Sequence, residues 1–80
     1  MKRASETKIT RYTIDGTKYF VDVITTPDTF DARLGHRDYG PTLYMFGVPK
    51  GPYVRTERDF CQMVDANLPE YLAEYEETVF

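Results

Sequence analysis

The sequence predicts an α+β domain, with an antiparallel sheet of about four strands in two hairpins packed on one kinked or two short C-terminal helices. Three observations carry that reading. Asp15-Gly16 separates two β-rich runs in KITRYTIDGTKYFVDVI (8–24), FDARLGH and TLYMFGV flank the turn-forming RDYGP (37–41), and apolar residues recur at helical spacing after Thr56. A chain with 41% hydrophobic and 29% charged residues has the composition of a folded protein. Its 80 residues suit one small domain, 1–80, with a flexible lead at 1–7.

In the first hairpin, Asp-Gly predicts a two-residue type I′ loop, because that turn needs positive φ at both central positions. The register that follows sets Tyr12 opposite Tyr19 and Thr10 opposite Val21, and gathers Tyr12, Ile14, Tyr19, Val21 and Val23 on the core face. Arg11, Thr13, Lys18 and Asp22 fall on the other face, with Phe20 among them. A third strand is expected at 30–36, where Phe30, Ala32 and Leu34 alternate with Asp31, Arg33 and Gly35. TLYMFGV (42–48) is apolar on both faces and suits an interior strand or one covered on both sides. PKGPY (49–53) then ends the sheet, since two prolines and a glycine cannot continue a ladder.

Thr56 is the expected helix cap, with Glu57 and Asp59 at the positive end of the dipole. Phe60, Met63 and Val64 form the inward stripe, and Pro69 either kinks the helix or opens a second one. From Leu68 on, a 100° step per residue places Leu68, Leu72, Tyr75 and Val79 on one side and Glu70, Glu74 and Glu77 on the other. The expected core is therefore Tyr12, Ile14, Val21, Leu34, Phe46, Phe60, Val64, Leu68 and Leu72.

Catalytic and metal-binding patterns are missing: there is no phosphate-binding glycine loop, HExxH, CxxC or GxSxG in the chain. His36, the single histidine, sits at a strand end beside Arg37 and Asp38, where a turn or surface role is the ordinary one. Cys61 has no neighbouring His or Lys and reads as packing, and one cysteine forms no internal disulfide. A metal site on Glu70, Glu74 and Glu77 would draw on one element only, so no metal and no cofactor are expected. The reading is non-enzymatic. Met1-Lys2-Arg3 is followed by polar residues and no long apolar run occurs, so a soluble, cytoplasmic protein with no membrane association is expected.

Charge is the informative feature. Residues 1–55 hold nine Lys/Arg and six Asp/Glu, a net +3, whereas 56–80 hold one Arg and seven acids, a net −6. Glu70 and Glu74 lie about 6 Å apart along a helix axis and Glu74 and Glu77 about 4.5 Å, on the scale of nucleic-acid phosphates. No lysine or arginine occurs in 59–80 to relieve their mutual repulsion. Seven tyrosines and five phenylalanines add more aromatic surface than so small a core consumes. The candidate partner-binding residues are Glu70, Glu74, Glu77, Glu76, Tyr71, Asp65, Asp59 and Glu57.

In its small size, compact α+β pattern, one-sided acidity, abundant tyrosine and lack of a catalytic signature, the chain resembles small phage and mobile-element inhibitors, notably anti-CRISPR proteins and other DNA mimics. That resemblance implies a protein that binds a CRISPR effector complex and occludes its DNA channel, where Arg and Lys meet phosphates. Two rivals stand beside it. A small cytosolic adaptor, monomeric or a weak homodimer, would use the same tail and tyrosines to dock a partner subunit with no inhibitory role. A direct nucleic-acid binder would use Arg11, Lys18, Phe20 and Arg33 on the outer sheet face, against a sequence pI near 5.0.

Overall fold

A computed structural model of the chain describes residues 7–79, so the flexible lead expected at 1–7 falls, apart from Thr7, outside the described residues. Four strands, β1 (Lys8–Thr13), β2 (Tyr19–Thr25), β3 (Thr29–His36) and β4 (Tyr39–Pro49), precede one helix, α1 (Glu57–Val79). The strands form an antiparallel meander in the order β1-β2-β3-β4. The helix lies across one face, nearest β3 and β4. This is the α+β arrangement that the residue patterns predict.

The first hairpin turns differently from expectation. The Thr17 amide donates to the Ile14 carbonyl at 3.1 Å and the Ile14 amide to the Tyr19 carbonyl at 3.0 Å, so residues 15–18 form a longer loop. Only Gly16 has positive φ, at 78°, which matches the third position of a type II turn rather than type I′. Thr17 makes the longer loop favourable: its hydroxyl donates to the Ile14 carbonyl at 2.8 Å and accepts from the Tyr19 amide at 3.1 Å. Tyr12 therefore pairs with Val21 and Thr10 with Val23, two residues from the expected register. A shift of two preserves which face each side chain takes, so Val21 and Val23 still point into the core.

Two further corrections concern the edges of the sheet. Tyr12, expected in the core, is 41% exposed, because β1 is an edge strand that the helix does not cover. β4 is the other edge and not an interior strand, with Tyr44 exposed on its outer side. Its run of apolar residues is explained by a bulge: Ala32 pairs with Phe46 and Arg33 with Tyr44, so Met45 is an extra residue, buried in the same cluster as the inward-facing strand residues. Of the two alternatives at Pro69, the chain takes the single helix: the proline sits inside a continuous helix of 23 residues and does not divide it.

The core consists of Val21, Val23, Phe30, Ala32, Leu34, Met45, Val54, Phe60, Val64 and Tyr75, with Ile14, Phe46, Leu68 and Leu72 half-buried against it. Phe60 stacks on Phe30 with ring centroids 5.4 Å apart, and Phe46 tilts against Phe60 at the same separation. Phe20 is on the outer face as expected, yet only 7% of its surface is exposed. It lies across its cross-strand partner Gly35, where a Cβ would come within 2.7 Å of the ring's Cε1 atom, and the Arg11 guanidinium covers it 3.8 Å from the ring centroid. Arg11 is held there by its cross-strand partner Asp22, Nε to Oδ1 at 2.8 Å.

Helix initiation agrees with the pattern Thr-Glu-Arg-Asp. The Thr56 hydroxyl accepts from the Asp59 amide at 3.2 Å, while the Asp59 carboxylate accepts from the Arg55 and Thr56 amides at 3.1 and 3.2 Å, a reciprocal capping box with aspartate at the third position. Those two amides hold the Asp59 carboxyl below the usual aspartate range.

Two stability measurements follow. Phe60→Ala removes a fully buried ring shared by β3 and β4, and should cost about 3–5 kcal/mol in urea unfolding, enough to unfold much of a domain this small. A cost below about 1 kcal/mol would place the helix on the sheet incorrectly. Pro69→Ala should raise stability, by up to about 3 kcal/mol, because the exposed ring stands mid-helix where it removes one backbone hydrogen bond. Unchanged or lowered stability would mean that the helix is interrupted at that point.

Candidate functional site

Tyrosines of the first hairpin reach the helix and tie up part of its charge. The Tyr12 hydroxyl donates to the Glu57 carboxylate, and the Tyr19 hydroxyl donates to Glu76 at 3.2 Å. The bond to Glu57 raises the Tyr12 pKa, while for Tyr19 burial acts first and the Glu76 charge second, again upward. Asp59 is spent on the cap. Tyr71 is half-buried, its ring 6.0 Å from that of Phe46. Of the eight candidate residues, these four have structural partners within the domain.

Glu70, Glu74, Glu77 and Asp65 are exposed. Among the described residues none of these four makes a hydrogen bond or an ion pair. A 100° step per residue separates them into two groups. Glu70, Glu74 and Glu77 form a row on the flank that continues past Phe60 and Tyr71, toward the β4 side where those rings meet Phe46. Asp65 and Glu76 lie on the opposite flank with Cys61 and Leu68, toward β1 and β2. The acidic surface is thus an uncompensated row along one flank and a smaller, partly engaged group along the other.

The basic side chains are distributed differently. Arg11 is paired with Asp22, and Lys18 with Asp38 at 2.9 Å, an ion pair that holds the Asp38 carboxyl low. On the outer face Tyr44 donates to Asp31 at 3.0 Å. That face therefore presents neutralised pairs and aromatic rings, with Arg33 exposed between them.

One end of the sheet holds an aromatic cluster that residue patterns did not reveal. His36 packs edge-on to Tyr19 and Tyr39, each centroid 4.8 Å away, and its Nδ1 accepts from the Asp38 amide at 3.1 Å. Tyr19 in turn meets the buried Tyr75, whose hydroxyl donates to the Pro41 carbonyl at 2.7 Å. His36 is held as a packing and turn residue. Cys61 is half-buried beside Tyr12, and burial pushes its thiol up, away from the thiolate that nucleophilic chemistry needs. Among the described residues no three His, Cys, Asp or Glu side chains converge as metal ligands.

Four tyrosines are largely exposed: Tyr53 is 92% exposed in the loop before α1, and Tyr12, Tyr39 and Tyr44 are each about half exposed. No helix of the described residues is long and apolar enough to cross a membrane.

The Tyr12 contact has a pH signature. Its pKa in the fold lies above the free tyrosine value of about 10, so the contact stabilises fully below that pH and is lost as pH rises through the higher folded-state value. Tyr12→Phe should lower stability at neutral pH and flatten its decline above about pH 10. If the variant and the parent lose stability in parallel through the alkaline range, the hydroxyl is not held by Glu57. No protein-family model, no curated protein and no solved structure matches the chain.

Proposed function

We propose that this chain is a non-enzymatic binding protein that sets the Glu70, Glu74 and Glu77 flank of α1 against a Lys/Arg-rich surface of a protein partner, a surface that otherwise holds nucleic acid. One observation carries the reading: the three carboxylates stand exposed in a row with no partner among the described residues, while other acids of the same helix are engaged by tyrosines or by the cap. Like charges at helical i, i+4 spacing cost a few tenths of a kcal/mol, a cost that a lysine in the row would remove. A basic partner removes it as well, and gains in association rate and specificity from the complementary field.

The resemblance to anti-CRISPR inhibitors narrows the partner to a CRISPR effector complex, whose DNA channel offers the required density of Arg and Lys. Exposed tyrosines, Tyr39 and Tyr44 among them, supply rigid amphipathic area for such a contact. Direct binding of nucleic acid by the outer sheet face is the weaker reading, because Arg11 and Lys18 are already paired with carboxylates.

Adding the protein to purified effector complexes and following their binding to duplex DNA tests the proposal. Replacing Glu70, Glu74 and Glu77 together by Gln should leave thermal unfolding unchanged or slightly raised, and should weaken effector binding at least about tenfold with a shallower salt dependence. Lys at the same positions should be worse than Gln, since like charges then meet. A Lys variant that binds as tightly as the parent at low salt would reduce the row to a solvated helix face.

A further inference from the structure

The helix leaves room on the β1 side of the inner face. Tyr12, Ile14, Val21 and Val23 form one wall of an open groove of about 320 Å³, and Cys61, Val64 and Leu68 of α1 form the other. The volume suits one large aliphatic or aromatic side chain better than a whole ligand, for which pockets begin near that size. Asp15 at the hairpin turn and Asp65 on the helix stand at its rim. Both are exposed and, among the described residues, make no hydrogen bond or ion pair.

Alongside the groove runs the β1 edge of the sheet, unpaired among the described residues, and the ladder fixes the orientation of its backbone groups. The Ile14 amide bonds to the Tyr19 carbonyl, which makes Ile14 and Tyr19 a hydrogen-bonded pair. Pairs alternate in an antiparallel ladder, so Tyr12–Val21 and Thr10–Val23 are the next bonded ones. The N–H and C=O groups of Ile9, Arg11 and Thr13 therefore point away from β2, off the edge of the sheet. β4 blunts its own edge with Pro41, Pro49 and the bulge at Met45, whereas β1 has neither proline nor bulge.

We propose that this edge and groove together take an extended basic segment of a partner protein, which pairs with β1 through Ile9, Arg11 and Thr13, seats an apolar side chain against Val21, Val23, Val64 and Leu68, and sets an Arg or Lys against Asp15 and Asp65. Charge complementarity selects this occupant: the rim is acidic on both walls, and a strand places residues i and i+2 on one face, so an apolar residue and a flanking cation enter together. The site does not rest on the Glu70, Glu74 and Glu77 row, which occupies the other flank of the helix, and either can fail alone.

The probe is the capped peptide Thr-Arg-Thr-Leu-Thr-Arg-Thr, titrated into isotope-labelled protein and followed by NMR. Saturable shifts are expected at the amides of Ile9, Arg11 and Thr13 and at the methyls of Val21, Val23, Val64 and Leu68. Thr13→Pro removes an amide that faces off the edge, a position where proline is tolerated, and should weaken binding about tenfold or more without unfolding the sheet. Asp15→Asn with Asp65→Asn should weaken it comparably, as should Gly in place of the peptide's Leu, while the triple Gln variant of the acidic row should bind as the parent does. Shifts confined to the Glu70, Glu74 and Glu77 flank would overturn the proposal. So would β1 shifts that grow with protein concentration in the absence of peptide, which would assign the edge to a second copy of the chain.

Discussion

Phe60 and Tyr75, both without exposed surface, fix α1 to the sheet at two points fifteen residues apart, about 22 Å along the helix. Everything else in the arrangement depends on that pair of anchors. Phe60 stacks on Phe30 of β3, and Tyr75 closes the far end by packing on Tyr19 and bonding to the Pro41 carbonyl at the start of β4. A chain this small buries a limited fraction of its surface, and one helix cannot cover four strands, so the line joining the anchors decides which strands are covered. It runs over β3 and β4, and the inner side of β1 is left to solvent.

The same placement sorts the charge. Carboxylates close to the first hairpin are within reach of its tyrosines, and Tyr12 and Tyr19 bind Glu57 and Glu76. Surface contacts of this kind add little stability each, but they orient the hairpin against the helix at the two ends of the groove. Glu70, Glu74 and Glu77 are turned to the flank where no tyrosine hydroxyl or basic side chain of the described residues bonds to them. The row follows from helix orientation as much as from composition. Rotating the helix by a third of a turn would bring other carboxylates outward and bury some of these.

Much of this was legible in the residues. Alternation gave β3 and Asp-Gly between two β-rich runs gave β1 and β2, and a shift of two in the hairpin register left the inward face of β2 intact. The turn itself was misread because Asp-Gly is compatible with more than one loop, and the Thr17 hydroxyl, bonding at both ends of the loop, favours the longer one. The bulge at Met45 left no trace in composition, so a run apolar on both faces looked like an interior strand. Gly35 carried a usable signal for Phe20: a glycine beside an outward aromatic lets the ring lie flat on the sheet, and the burial of Phe20 follows. Of the candidate site, the row Glu70, Glu74 and Glu77 is exposed on one flank as the helical step requires. The engagement of Glu57 and Glu76 was hidden, because Tyr12 and Tyr19 come from the hairpin and only the folded chain brings them near, whereas Asp59 bonds to Thr56 and Arg55, three and four residues back, in a capping pattern that the sequence itself contains.

A helix with two unlike flanks can meet a partner in two unlike ways. The acidic row acts over a distance of the order of the Debye length, about 8 Å at physiological salt, and carries little information about sequence. The groove beside β1, as proposed, would act at contact, where an apolar side chain and two or three backbone hydrogen bonds would discriminate among partners that the field alone would treat alike. A charged protein with only the first would bind many basic surfaces weakly. With both flanks exposed on one helix, and both proposed contacts made, steering by the row would raise the encounter rate with a basic partner while the edge and groove would set how long it stays.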